Sequence, residues 1–381
     1  MCPTSTPRTD IAAEPDPRPI PGSRVFGRGD NDHHTLRIPA LAAVGPHLIA
    51  FAEGRRDSAG DSGEILIMAR VSSDGGRTWS APTTTTQEPG HTCGNPAPVA
   101  INDDTVLLLS SRNAASATEA EILAGRVDAE AGRRVYVQRI GVPSLTATTP
   151  RDLTAVAKRP DWGWYATGPG HAIRLRRGPY AGRIVVPANH SVIGSDEPSP
   201  YGRHTLVSDD RGERWRIGLV DPGQPGCAGP NESTCTEVGD GDIVFSVRNQ
   251  QQEGNEATRG WAVSTDGGDS APPLAPQHLA MPRIEGSLTT VRIGDREIVV
   301  LSGPSDPEQR AAMALRSSTD RGATWSEPRV VAPGPAGYSD LCVDPTGRLH
   351  LLWERGDDSP YEEIRHHSWT SEALGALLTG A

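Results

Sequence analysis

Apolar residues in this chain come in short runs, and the runs stop at glycine, proline, asparagine or aspartate. LAAVGPHLIAFAE, EILIMARVSS, TVLLLSSR, GRIVVPA, DIVFSVR, EIVVLSG and RLHLLWE all have this form. Runs of that length between turn residues read as β-strands. Only SWTSEALGALL, near the C-terminus, carries the spacing of a helix, and a short one. No linker-like change of composition interrupts residues 25–370. The pattern predicts one large all-β unit.

An octet repeats at the ends of these runs. SSDGGRTW spans Ser72 to Trp79, and SSTDRGATW places a second copy at Ser318, Asp320, Gly322, Thr324 and Trp325. SDDRGERW is a looser third at Ser208, Asp210, Gly212 and Trp215. STDGGDS, at Ser264, Asp266 and Gly268, is a fourth without its tryptophan. Ser and Asp side chains hydrogen-bond nearby backbone and fix a tight turn. The glycine supplies a positive φ that other residues resist. Three of the chain's 8 tryptophans sit at this position, so scarce large rings are placed to fold back onto a sheet. The acids of the octet are therefore read as structural. Repetition along the chain predicts blades, and at about 40 to 60 residues per blade the length accommodates six.

Composition sets limits. The 381 residues suffice for one large β domain, and Gly 42 with Pro 34 supplies many turns. The formal net charge is -11 and no Lys/Arg cluster stands out, which argues against a nucleic-acid partner. No stretch reaches the apolar length of a membrane span. Residues 1–24 are polar and proline-rich and are expected to lie outside the folded unit, which would occupy 25–381. They contain no apolar core of a secretory signal, so the expected location is cytoplasmic, with another export route or an upstream signal left open. The five cysteines lack metal-ligand spacing. Cys227 and Cys235 bracket a short loop and are read as reduced thiols, with a bridge as the alternative. The eleven histidines form no ligand motif, and the adjacent pairs His33-His34 and His366-His367 would point to opposite faces of a strand. No metal site and no cofactor are expected, and a monomer is.

The remaining informative segments put arginines and acids beside strand ends. They are TLRIPAL, EGRRDSAGDSGEI, PNESTCTEVGDGDIVFSVRN, DPEQRAAMALRSSTDRG, GPAGYSDL and LLWERG. With the octets, in this order, they resemble the sialidase (neuraminidase) family, the exo-α-sialidases of glycoside hydrolase family 33. The resemblance runs from about Val25 to Trp369. It implies a six-bladed β-propeller whose octets are Asp boxes, and a sialylated glycan or small sialoside as substrate.

The resemblance also implies roles. Arg37 of RIP, Arg248 of FSVRN and Arg310 match three arginines that grip the substrate carboxylate. Asp61 matches the acid/base aspartate that follows an arginine, here Arg56, with Asp57 as the second candidate. Glu232 matches the catalytic glutamate that precedes the second arginine by sixteen residues, with Glu237 as the alternative. Tyr338 of GYSDL matches the tyrosine nucleophile, and Glu354 an acid that braces the first arginine. The segment Gly168 to Leu175 resembles a loop near the site.

The set is chemically coherent. Planar guanidinium groups fit a carboxylate through paired N–H donors. A neutral phenol approaches an anionic anomeric centre more readily than a carboxylate does, and sialidases with a tyrosine nucleophile are a known exception among glycosidases. Three departures stand out. The N-terminal extension is unusual, the fourth box lacks its tryptophan, and Ser62 and Gly63 stand where a bulkier acyl-pocket residue often sits. The last leaves the C5 substituent of the sugar open, including the deaminated form. A trans-glycosylating enzyme and a non-catalytic sialoside-binding propeller are the competing readings. The presence of Tyr, Glu and Asp candidates together favours an enzyme, because a lectin needs only the grip.

Overall fold

The computed structural model describes residues 20–194, 201–250 and 258–380. Among the described residues, six four-stranded antiparallel sheets follow one another, each starting at the centre of the molecule and stepping outward. Blade one begins with strand Thr35–Val44, blade two with His91–Ala100, blade three with Trp162–Thr167 and blade four with Pro230–Val238. Blade five begins with Ser287–Ile293. Strand Arg329–Val343 serves two blades. Its first half pairs with Ala311–Ser318 at the outer edge of blade five, and from Ala336 it pairs with Leu349–Arg355 as the inner strand of blade six.

The ring closes through its ends. Strand Ile20–Gly27 pairs antiparallel with Glu363–Trp369 and completes blade six. The folded unit therefore begins by Ile20, earlier than the boundary at residue 25 read from composition. Strand pairing, invisible to local hydropathy, recruits Ile20–Arg24. The rest of the expected extension, residues 1–19, lies outside the described residues.

Hydrophobic cores lie between successive blades. Phe51 and Ile67 of blade one meet Leu108 of blade two, and Leu109 of blade two meets Tyr165 of blade three. Val207 meets Phe245, Val244 meets Leu301, and Leu315 meets Trp353, each across one blade boundary. Leu352 of blade six meets Leu41 of blade one and closes the circle. Apolar burial is the main favourable term in folding, so these interfaces hold the six blades as one propeller. Helix Ser371–Thr379, the one expected from the sequence, buries Leu374 and Leu378 in the core between blades five and six. The short helices Glu119–Leu123 and Thr154–Ala157 were not legible in the hydropathy pattern.

All four octets occupy the same place, between the third and fourth strands of blades one, three, four and five. In the first, Ser72 Oγ accepts from the Gly76 amide at 2.8 Å, and Asp74 accepts from the Thr78 amide and hydroxyl at 2.9 and 2.6 Å. Gly76, Gly212, Gly268 and Gly322 all have φ between 82° and 89°, as the turn requires. The tryptophans pack onto the preceding blade: Trp79 against His366 of blade six, Trp215 in the core with Leu107 of blade two, and Trp325 beside Trp261 of blade four. Trp215 is buried, whereas Trp79 and Trp325 are half-buried. The box without tryptophan reaches its neighbour through polar contacts instead. Gly268 O accepts from Thr205 Oγ1 at 2.7 Å, and Asp269 pairs with Arg183 at 2.9 Å.

Cys235 is a buried thiol without a disulfide, and Cys227 Sγ faces Arg259 O at 3.9 Å, so the alternative bridge between them is not formed. His366 and His367 point to opposite faces as expected: His366 stacks on His350, and His367 contacts Trp353. No helix among the described residues is long and apolar enough to cross a membrane.

Candidate active site

In an up-and-down blade, the first and third strands start at the same edge where the second ends. Arg37 and Tyr338 lie near the start of inner strands, and Glu232 lies near the start of another. Arg55, Arg248 and Glu354 sit at or near the ends of second strands, and Arg310 directly precedes a third. The boxes lie at the opposite edge.

The inner strands are irregular at that edge. Pairing slips between Arg37 and Ala40, Gly94 and Ala97, Trp162 and Tyr165, Pro230 and Ser233, and Ala336 and Ser339. Such bulges re-aim side chains, and here they carry Arg37, Asn95, Trp164, Glu232 and Tyr338. Ile38 is strained, with φ 59° on a β-branched residue that also precedes proline. Its amide donates to Glu354 Oε1 at 2.8 Å, which pins the bulge.

The pocket at this mouth has a volume of about 170 Å³ and is lined by Arg37, Asp61, Glu232, Arg248, Arg310 and Tyr338. Glu354, fully buried, accepts from Arg37 Nε at 3.1 Å and from the Tyr338 amide at 3.0 Å. One carboxylate thus ties the first arginine to the backbone of the tyrosine. Burial alone would weaken the Arg37 charge, but Glu354 and its neighbours outweigh that and hold it well above its usual range.

Tyr338 OH donates to Glu232 Oε1 at 2.5 Å, and Arg248 Nη1 approaches both, at 3.1 Å from the phenol oxygen and 2.5 Å from Glu232 Oε2. Burial pushes the phenol's pKa well above 10, Glu232 adds to this, and Arg248 and Arg37 oppose it. Arg310 donates to Tyr361 OH at 2.6 Å, and Arg37 lies 4.2 Å above the Tyr361 ring. Asp61 sits on an exposed loop, 2.7 Å from Arg55 and 3.6 Å from Arg37. The surrounding walls of the mouth displace part of its water and so disfavour its charge, although the side chain itself is exposed; these two guanidiniums outweigh that and hold its carboxyl below the usual carboxylate range.

One expected site residue, both second candidates and the expected nearby loop lie outside the pocket lining. Arg56 points away and pairs with Glu64 at 3.3 Å, while its neighbour Arg55 lines the pocket. Adjacent residues at a strand end face opposite sides, and only Arg55 lies on the inner face. Arg55 donates to Ala59 O and Gly60 O at 2.6 and 3.0 Å, and so shapes the loop that presents Asp61. Asp57 is exposed and does not line the pocket. Glu237 lies toward the far end of its strand, accepting from the amides of Arg176 and Arg177. The segment Gly168 to Leu175 touches the centre without lining the pocket: His171 contacts Asp340 at 2.7 Å.

Other lining residues carried no local signal. Glu53 holds Arg55 at 2.7 Å and accepts from the Asn95 amide at 2.8 Å. Arg133, Trp164 and Asn189 form the wall contributed by blades two and three. They come from unrelated parts of the sequence with no recurring motif. Among the described residues no group of His, Cys, Asp and Glu could hold a metal ion.

The BNR repeat-like domain family matches residues 46–351. A sialidase of Micromonospora viridifaciens is 27% identical over 377 residues, covering 90% of this chain but only 52% of that protein. Human Sialidase-3 is 26% identical over 416 residues, with 94% of each chain covered. Among solved structures, the Hadza microbial sialidase Hz136 superimposes with a TM-score of 0.77 at 21% identity, over 92% of this chain and 69% of that one. The intramolecular trans-sialidase from Ruminococcus gnavus gives 0.75 at 16% identity, over 92% and 98%. At such identities the structural matches speak to the fold alone. The repeat match, the named relatives and the propeller agree: this chain belongs to the sialidase family of BNR-repeat β-propellers.

Proposed function

We propose that the protein is a retaining exo-α-sialidase that removes terminal nonulosonic acids through a covalent intermediate on Tyr338. The observation that carries this reading is the Tyr338 hydroxyl itself. It is wedged between Glu232 and Arg248 at the pocket, with Arg37 and Arg310 lying 5.3 and 5.6 Å from its ring.

The substrate carboxylate binds among Arg37, Arg248 and Arg310, each presenting forked donors. Hydrogen bonds to charged groups contribute about 1.5 to 3 kcal/mol each, enough to fix the anomeric carbon near the phenol. Because the buried phenol resists ionisation, it attacks as its proton passes to Glu232. The bond between C2 and the glycosidic oxygen breaks, and Asp61 delivers a proton to that oxygen. In the second step Asp61 takes a proton from water and the water oxygen attacks C2. The phenolate leaves and recovers its proton from Glu232. Two displacements at one carbon give net retention.

Asp61 must be protonated for the first step, although Arg55 and Arg37 favour its ionised form. A substrate carboxylate on Arg37 offsets one of those two charges and raises the fraction of acid. The free enzyme's kcat/KM on natural sialosides should therefore increase as pH falls toward the carboxylate range, with a weaker dependence for substrates with activated leaving groups.

The test is covalent trapping. A sialosyl fluoride with a second fluorine at C3 withdraws charge and slows both steps, while the fluoride leaving group restores the first. Peptide mass analysis should find the adduct on Tyr338. An adduct on Glu232, or full activity in Tyr338→Phe, would remove the nucleophile assignment. Binding of sialosides without cleavage of any nonulosonic acid would mean a binding propeller.

A further inference from the structure

The wall opposite the arginine grip has no part in the chemistry above, and it is polar and incompletely satisfied. Arg133 is only 4% exposed and its guanidinium lies 3.7 Å over the ring of Trp164. Its Nη1 donates to Asn95 Oδ1 at 3.1 Å, and its Nε has no hydrogen-bond partner among the described residues. Asn189 is fully buried, and neither its Oδ1 nor its Nδ2 has a partner among the described residues. All four residues line the same pocket. Burial draws the Arg133 pKa down to about 10, with Glu53, Glu119 and Asp61 opposing the fall, so the group remains charged.

Ring geometry says what faces this wall. Arg37, Arg248 and Arg310 belong to blades one, four and five, and Tyr338 to blade six. Asn95 and Arg133 belong to blade two, Trp164 and Asn189 to blade three. The carboxylate is thus held on one arc of the circle, and these four residues fill the other. In a nonulosonic acid the carboxylate is on C2, and the ring atom across from C2 is C5. A ring whose carboxylate sits on the arginine arc would turn its C5 substituent toward the polar wall.

We infer that this wall is a subsite for a hydroxyl at C5, so that the enzyme prefers 5-hydroxy nonulosonic acids over their 5-acetamido counterparts. The inference rests on the proposed sialidase reaction. A hydroxyl both donates and accepts, and it meets the needs of the Asn189 amide and the Arg133 guanidinium directly or through one water. An acetamide can offer its carbonyl to Arg133, but its methyl must then lie against buried polar atoms. Little apolar surface is left to receive that methyl. One face of Trp164 is covered by Arg133, and the ring also packs with Ala117 and Ile122. Ala166 and Ile38 are the other apolar side chains at the pocket among the described residues. Leaving buried polar groups unpaired is what lets a site reject an analogue.

The experiment compares two 4-methylumbelliferyl α-glycosides that differ only at C5. Wild-type kcat/KM is expected to favour the 5-hydroxy substrate by at least roughly tenfold. Asn189→Leu should lower kcat/KM for that substrate and leave or improve the 5-acetamido one, collapsing the ratio. If Asn189→Leu does not fold, competitive inhibition of the wild type by the two free acids reads the same preference, with tighter binding of the 5-hydroxy acid expected. Equal or faster cleavage of the 5-acetamido substrate overturns the inference and leaves the sialidase reaction standing. Cleavage of neither overturns both.

Discussion

The two edges of the propeller use the same side chains for opposite purposes. At the box edge, Asp74, Asp266 and Asp320 find their partners within four residues, on backbone amides and neighbouring hydroxyls. At the mouth, Glu354 reaches Arg37 across 317 positions, and Tyr338 reaches Glu232 across 106. A carboxylate whose acceptors are filled by its own turn has nothing left for a ligand. One brought together with arginines by distant strands keeps directions open to a pocket. Asp61, on a loop of blade one, also keeps such an opening: two arginines hold it, yet its side chain is 69% exposed.

The contrast can be broken most severely at the mouth. Tyr338→Phe keeps the ring but removes the attacking oxygen. Turnover should fall by on the order of 10³-fold or more, with the melting temperature nearly unchanged. Loss of folding together with activity would show that the hydroxyl serves the structure.

The box edge should give the reverse. Trp215→Ala removes a buried ring from the core between blades two and three, and should cost about 3 to 5 kcal/mol in chemical denaturation. Trp79→Ala and Trp325→Ala should cost less, because those rings are half-buried. All three should keep KM for an activated sialoside, and a normal midpoint with abolished turnover would reverse the assignment of the boxes.

Acid separates the two regions in another way. Burial holds His190 at about 3 and His367 at about 4, and pushes His204 and His366 well below 6.5. Because these folded-state values lie below the unfolded one, the unfolded chain binds more protons between them. Their contribution is complete above about pH 6.5 and should fade by up to about 1.4 kcal/mol per pH unit for each histidine as pH drops toward 4. His171 has the opposite sign. Burial disfavours its charge but Asp340 outweighs that and raises it, so its contribution is present below pH 6.5 and lost above. Asp61 follows the carboxylate sign: its arginine partners lower its pKa, so the stability it contributes is present above the ordinary carboxylate range and is lost as pH falls below it. Denaturation midpoints should therefore fall between pH 6.5 and 4, and the fall should be shallower in His204→Phe. A flat profile would contradict the neutral burial of these rings.

The smallest effect concerns a single turn. Ser208→Ala leaves the Gly212 amide without the acceptor it has at 2.9 Å, and should cost about 1 to 3 kcal/mol, at the low end if water reaches the amide. Activity should be untouched. A change in kcat would mean the two edges communicate through the blade.

The amino-acid sequence by itself determined the strands, the repeat and the boxes, because their causes are local: short apolar runs bounded by turn residues, turn glycines, and Ser and Asp bonding within four positions. The resemblance to the sialidase family, carried by the order of the motifs, named Arg37, Glu232, Arg248, Arg310 and Tyr338, all of which the fold brings to one pocket. Tertiary structure decided what these local signals could not. Which of Arg55 and Arg56 faces inward depends on how the strand sits in its blade, and the position of Glu237 depends on which end of its strand meets the mouth. Asn95, Arg133, Trp164 and Asn189 become one wall only when blades two and three are packed side by side. Their chemistry arises from shared burial, which belongs to the assembled ring and to no segment of the chain.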